Sequence, residues 1–281
     1  MSISLQNSFQ KRAELFRDLH RQKGIFVVPN PWDAGSVKIL ASLGFKALAT
    51  TSAGLAFSLG KPDGQASVTR DETLQNVRSI VNATSLPVSA DLENGFGDDP
   101  AACAETIRLA AAAGAAGGSI EDATGKPGDP IYPFELALER VKAAVEAARS
   151  LPVPFTFTAR AENLIHGRPD IKDTIKRLVA FADAGANVLF APGLKTKEEI
   201  EIVVKAVAPR PVNVVMGLTG TNFSLQMLED MGVKRVSLGS TLSRAAYGAF
   251  FHAAEEIIQK GSFSFADKAK PYVDFNDLFG Q

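Results

Sequence analysis

Two rhythms of apolar residues alternate along the chain. Eight short runs rich in β-branched and aromatic residues, "GIFVVPN", "KALATTS", "LPVSADLE", "AGGSIED", "PFTFTARAE", "ANVLFAPG", "PVNVVMG" and "KRVSLGS", read as strands. Between them lie segments with apolar residues at helical spacing, such as "RDETLQNVRSIVNAT", "PFELALERVKAAVEAARS" and "DIKDTIKRLVAFADAGA", several opening on a capping residue and closing on Gly. Eight such units in a row, with no GxGxxG turn after the first strand, predict a (β/α)8 TIM barrel rather than an open doubly wound sheet. Ser4–Arg21 adds a helix before strand one, and Phe263–Gln281 reads as a short C-terminal helical extension. No low-complexity linker interrupts the pattern, so residues 1–281 are expected to form a single α/β domain.

In a barrel the active site lies at the C-terminal ends of the strands. Five of those ends are polar here: "TTSAG", "DLENG", "SIED", "TARAEN" and "LGSTLSR". Asp91 and Glu93 sit two residues apart, so strand alternation is expected to project both carboxylates from one side. With Glu121 on the next strand they make an oxygen-rich set with no His or Cys beside it, which suits Mg2+, or Mn2+, held by one or two carboxylates directly and by the others through water. The plainer alternatives are that the strand-end pair caps the following helix and that Glu121 and Arg160 form a buried ion pair. Asp98 and Asp99, before Pro100, read as helix caps. Thr124–Pro133 resists helix and strand and is expected to be a mobile lid from which Lys126 reaches an anionic substrate. Trp32 reads equally as a wall over the ligand and as core, and His166 reads as a solvated loop histidine.

Composition narrows the partners. Lys and Arg (30) balance Asp and Glu (31), so no overall field recruits nucleic acid or an anionic membrane. No apolar run reaches the roughly 18 residues of a membrane span, and the opening residues lack the apolar core of a signal peptide. A cytoplasmic protein acting on a small molecule is expected. The single Cys103 lies in an apolar helical segment and reads as packing.

The ordered set "PNPWDAGSVKILASLGFKALATTSAGLAFSLGKPDG", "DLENGFG", "SIED" and "TARAEN" resembles the isocitrate lyase/phosphoenolpyruvate mutase superfamily over roughly Gly24 to Gly248. The resemblance implies a Mg2+-binding barrel acting on 2-oxo acids. It assigns Thr51, Ser52 and Ala53 to the turn that holds the substrate carboxylate, Asp63 to the acid in the loop beyond it, and Asp91 and Glu93 to the strand-three acidic pair. Glu121 matches the strand-four acid and Arg160 the strand-five Arg that neutralises the substrate. Two departures stand out: the family pair is Asp-x-Asp, and the Cys-bearing lyase loop after strand four is replaced by "EDATGKPGDPIYPFE".

The expected activity is therefore cleavage of a C–C bond at C3 of a 2-oxo acid through an enolpyruvate intermediate, by decarboxylation or pyruvate release without a Cys acid. P–C bond chemistry on a phosphonopyruvate-like substrate is the alternative. A Schiff-base aldolase ranks lower because "ANVLFAPG" has no Lys, with Lys195 and Lys197 lying beyond it. A non-catalytic, ligand-binding barrel ranks lower too. The apolar helix "TLSRAAYGAFFHAAEEIIQKG" and the aromatic tail predict a homo-oligomer. The resemblance specifies a tetramer of two pairs that exchange this terminal helix.

Overall fold

A computed structural model describes residues 3–217 and 220–280. Eight parallel strands stand in the order β1-β8-β7-β6-β5-β4-β3-β2, a barrel sheet as the sequence pattern predicts. The strands are β1 Phe26–Val28, β2 Leu48–Ala49, β3 Val88–Asp91, β4 Gly117–Glu121, β5 Thr156–Arg160, β6 Val188–Phe190, β7 Val212–Val215 and β8 Arg235–Ser237. The seam between β1 and β2 is closed beyond the ladder. Ala49 N–H donates to Pro29 O at 3.1 Å, and Asn30 Nδ2 donates to Thr50 O at 2.9 Å. Asn30 Oδ1 also accepts the N–H groups of Leu238 and Gly239, so one side chain ties the ends of β1, β2 and β8.

Around the strands run α2 Ala34–Ser42, α3 Ser52–Ser58, α4 Arg70–Asn82, α5 Pro100–Ala112, α6 Phe134–Arg149, α7 Ile171–Ala184, α8 Lys197–Val207, α9 Leu225–Asp230 and α10 Thr241–Lys260. Their starts follow from local chemistry. Asp33/Ser36, Thr69/Glu72 and Thr196/Glu199 form reciprocal capping boxes, and a cap of this kind stabilises a helix by about 1 kcal/mol. The main core lies between this ring and the sheet and includes Leu48, Val77, Ile107, Phe157, Phe181 and Leu189, all fully buried. Burial of each such side chain contributes roughly 1.5–3 kcal/mol.

The extra N-terminal helix, α1 Ile3–Arg21, closes the floor of the barrel. Its Phe16 and Leu19 pack with Phe26, Ala47 and Ala116 in a second cluster. Gly117 is required there, because a Cβ would stand 2.5 Å from Thr156 O and 2.8 Å from the Phe16 ring. At the other end, the C-terminal extension folds as α11 Tyr272–Phe279, whose last carbonyl accepts Lys38 Nζ from α2 at 2.8 Å. No helix among the described residues is long and apolar enough to cross a membrane.

Candidate active site

The polar strand ends meet at the mouth of the barrel around Arg160, the last residue of β5. Its guanidinium is shared by three carboxylates: Nε to Glu162 at 2.8 Å, Nη1 to Asp91 at 3.0 Å and Nη2 to Glu121 at 3.1 Å. Adjacent strands explain the convergence, since Glu121 pairs with Arg160 in the β4–β5 register and Asp91 with Ser119 in β3–β4. Asp91 is fixed further by the Ser52 N–H on its Oδ2 at 3.0 Å and by its own N–H on Thr50 Oγ1 at 2.8 Å.

Glu93 reaches this cluster by a route the strand pattern does not give. The strand ends at Asp91, and Glu93 adopts a left-handed φ of 45° in a turn that continues through Gly95 and Phe96, both at positive φ. The two acids are thus brought together by a turn and not by alternation. Gly95 is needed because its φ is 82° and a Cβ would meet Cys103 Sγ at 3.0 Å. Arg140 of α6 holds the same turn from behind, donating to the carbonyls of Asn94, Gly97 and Asp98 and lying over the Tyr132 ring at 4.1 Å. Buried Cys103 is packing, as expected, and burial raises its thiol pKa.

Charge at the mouth is unbalanced. Five carboxylates (Asp63, Asp91, Glu93, Glu121 and Glu162) gather near one guanidinium. Burial, then repulsion from Asp91 and Asp63, pushes Glu93 up to about 7. Burial and Asp91 also raise Asp63, against hydrogen bonds from Gly64 and Ser52. Burial drives Glu121 well above the carboxylate range and raises Glu162, in both cases against the pull of Arg160. Burial opposes the charge on Arg160, but Glu162, Glu121 and Asp91 more than offset it and the guanidinium stays firmly protonated.

That surplus of buried oxygen ligands is the chemistry a divalent cation relieves. Among the described residues no three acidic, imidazole or thiol side chains converge as a ready-made metal cluster, because Asp91 and Glu121 are drawn onto Arg160. Asp91, Glu93 and Glu121 therefore do not form a closed direct ligand set. The arrangement fits a cation that keeps several waters and touches one or two carboxylates.

The remaining expected residues are placed as follows. Asp63, Ser52, Glu93, Glu121 and Arg160 all line one cavity of about 670 Å³. Thr51 caps α3, its Oγ1 accepting the Gly54 N–H at 3.2 Å, and Thr51, Ala53 and Asp91 line an adjoining chamber of about 230 Å³ that shares Ser52, Asp63 and Arg160 with the first. Trp32 lies below Tyr247 of α10, with ring centroids 6.4 Å apart. Lys126 borders the large cavity, but its ammonium is held by Asp98 at 2.7 Å. Asp98 also accepts the Tyr132 hydroxyl at 2.6 Å, so it anchors the loop and caps nothing, and Asp99 sits at the start of α5 with no side-chain cap bond. The Thr124–Pro133 segment is internally bonded, with Thr124 N–H on Pro130 O at 2.9 Å and an antiparallel bridge between Ala123 and Ile131. It forms one wall of the cavity.

Sequence reasoning passed over several residues. Glu162 is the most buried acid of the cluster, only 1% exposed, and its spacing two residues after Arg160 was the available signal. Its backbone N–H is held by Asp122 Oδ1 at 2.8 Å, and Asp122 is itself paired with Arg177 of α7 at 3.1 Å. His166, read from the sequence as a solvated loop histidine, borders the cavity with its Nε2 4.0 Å from Glu162 Oε2.

Comparison with known proteins agrees with this architecture. Residues 16–258 match the phosphoenolpyruvate phosphomutase family. The fold superposes on a Burkholderia cenocepacia J2315 protein, described only as a lyase or mutase, with a TM-score of 0.95 and 56% identity over 98% of both chains. It superposes on oxaloacetate acetylhydrolase bound to 3,3-difluorooxalacetate with a TM-score of 0.86 and 27% identity, covering 97% of this chain and 94% of that one. A 2-methylisocitrate lyase of Bacillus subtilis strain 168 is 28% identical over 252 residues, 87% of this chain and 81% of the relative. The chain belongs to the phosphoenolpyruvate mutase/isocitrate lyase superfamily of lyases and mutases, as its motifs suggest.

Proposed function

We propose that this enzyme is a Mg2+-dependent lyase that breaks a C–C bond at C3 of a 2-oxo acid or related carboxylate, by decarboxylation or release of pyruvate. The observation that carries the reading is the excess of buried carboxylates around Arg160 at the barrel mouth. Asp91 and Glu93 would hold the cation, with Glu121 and Asp63 behind them through water. A cation held there would supply positive charge against the negative charge that develops on the substrate.

The protein's own groups do the rest. Breaking the bond at C3 leaves an enolate, and Arg160, pre-oriented by its three carboxylates, is the fixed cation nearest that developing charge. Glu162 and Asp122 keep the guanidinium from turning away. Ser52 N–H holds Asp91 in place for the ion. Walls from the Asp63 loop and the Thr124–Pro133 loop surround the cavity and limit water at the enolate. The Thr124 hydroxyl is occupied, donating to Asp129 O at 2.5 Å, which gives the loop no free hydroxyl for a P–C substrate and favours C–C cleavage.

Incubation with Mg2+ and, in turn, oxaloacetate, 2-methylisocitrate, 2,3-dimethylmalate and phosphonopyruvate, followed by assay of pyruvate, oxalate and phosphate, tests the reading. Release of pyruvate from oxaloacetate, 2-methylisocitrate or 2,3-dimethylmalate, lost with EDTA and in Asp91→Ala, is expected. Turnover of phosphonopyruvate alone, to pyruvate and phosphate or to phosphoenolpyruvate, would move the enzyme to P–C chemistry, and full activity after exhaustive EDTA treatment would remove the metal.

A further inference from the structure

The turn after β5 is held more firmly than a solvated loop histidine requires. It is a short 3-10 helix, Asn163–Ile165, with His166 at its C-cap. Asn163 O accepts the N–H groups of His166 at 3.2 Å and Arg168 at 3.0 Å, and Asn163 Nδ2 donates to Asp173 Oδ2 at 2.6 Å. Arg177 of α7 donates from Nε to the same Asp173 oxygen at 2.8 Å and from Nη1 to Asp122 Oδ2 at 3.1 Å. Asp122 Oδ1 in turn accepts the Glu162 N–H. One buried arginine therefore anchors both Glu162 and the turn that carries His166.

Glu162 divides its two oxygens between its neighbours. Oε1 accepts Arg160 Nε at 2.8 Å, and Oε2 stands 4.0 Å from His166 Nε2. The imidazole thus lines the cavity on the Arg160 side, with a buried carboxylate behind it. Such a carboxylate orients the ring and stabilises its protonated form. The proton donors of the loop wall are already engaged: the Thr124 hydroxyl donates to Asp129 O, and Lys126 and Tyr132 both donate to Asp98. Asp91, Glu93, Glu121 and Asp63 are assigned to the cation and its waters. His166 is the one imidazole among the described residues that line the cavity.

We infer that, in the enolate chemistry proposed above, on which this assignment rests, His166 is the acid that protonates C3. As the C–C bond breaks, its electron pair stays with C3 as the enolate. The imidazolium N–H bond then breaks as a C3–H bond forms, which completes the released 2-oxo acid, and the neutral imidazole takes a proton back from water. In the reverse direction the same imidazole removes a proton from C3 of pyruvate.

The full-length enzyme with Mg2+ is given pyruvate in D2O, and loss of the methyl protons is followed by NMR. His166→Gln and His166→Ala should each lower the maximal exchange rate about 100-fold or more, the range of a single general acid–base group. The half-saturating pyruvate concentration should stay within about twofold of the wild type, because the ring acts on the proton and not on ground-state binding. Free imidazole should restore exchange in His166→Ala about tenfold or more and leave the wild type unchanged, a rescue that a packing role does not give. Undiminished exchange in either variant overturns the inference and leaves the enolate reading standing. Loss of exchange together with pyruvate affinity, or without rescue by imidazole, makes His166 structural and overturns it as well. A wild type that exchanges no protons removes the enolate reading and this inference with it.

Discussion

Arg160 carries the site at the scale of single residues, because three acids from three different segments are oriented by its Nε, Nη1 and Nη2. Removing it strands Glu162, which is almost wholly buried. Breaking one side of a buried ion pair typically costs about 3–5 kcal/mol. Arg160→Met should therefore lose stability of that order in urea denaturation, with activity gone. A loss below about 1 kcal/mol would show that Glu162 is compensated elsewhere. A lysine is no substitute, since one ammonium cannot reproduce bonds from Nε, Nη1 and Nη2 in a single plane.

Among the elements, α1 shows how a helix outside the barrel pattern serves its interior. His20 lies edge-on between Phe16 and Phe26 at 4.8 and 4.9 Å, and its folded pKa is about 3 against 6.5 for a free imidazole. Below pH 6.5 the unfolded chain takes up this proton and the folded one does not, so stability is full above pH 6.5 and falls as pH drops toward 3. The contribution is on the order of a few kcal/mol. His20→Gln should show a shallower fall over that window than the wild type, measured by denaturant midpoint against pH, and parallel curves would contradict the burial argument. Strand and helix order was legible in the sequence because runs such as "PFTFTARAE" and caps such as Thr69 with Glu72 are local signals. The turn that brings Glu93 to Asp91 was not, because it depends on a positive φ and on Arg140 from a distant helix. Nor was the pairing of Lys126 with Asp98.

For the whole molecule, α10 is the part that the single chain does not satisfy. Of its twenty residues only Ser243 is buried, while Phe250, Phe251 and Ile258 are 72%, 62% and 84% exposed. An apolar surface of this kind marks an interface, and the proposed assembly is a homo-oligomer in which α10 packs on a neighbouring subunit. Light scattering should give a mass several times the 29.8 kDa of one chain, and truncation before Thr241 should dissociate the assembly. A monomer at all concentrations would contradict it. The reaction itself rests on one claim, that the mouth stabilises an enolate through the cation and Arg160. Exchange of the methyl protons of pyruvate in D2O, followed by NMR, reads that step whichever leaving group the natural substrate carries. With Mg2+ the wild type should exchange these protons well above background, and EDTA, Asp91→Ala and Arg160→Met should each abolish the exchange; exchange no faster than in buffer, or undiminished in EDTA, would contradict the account.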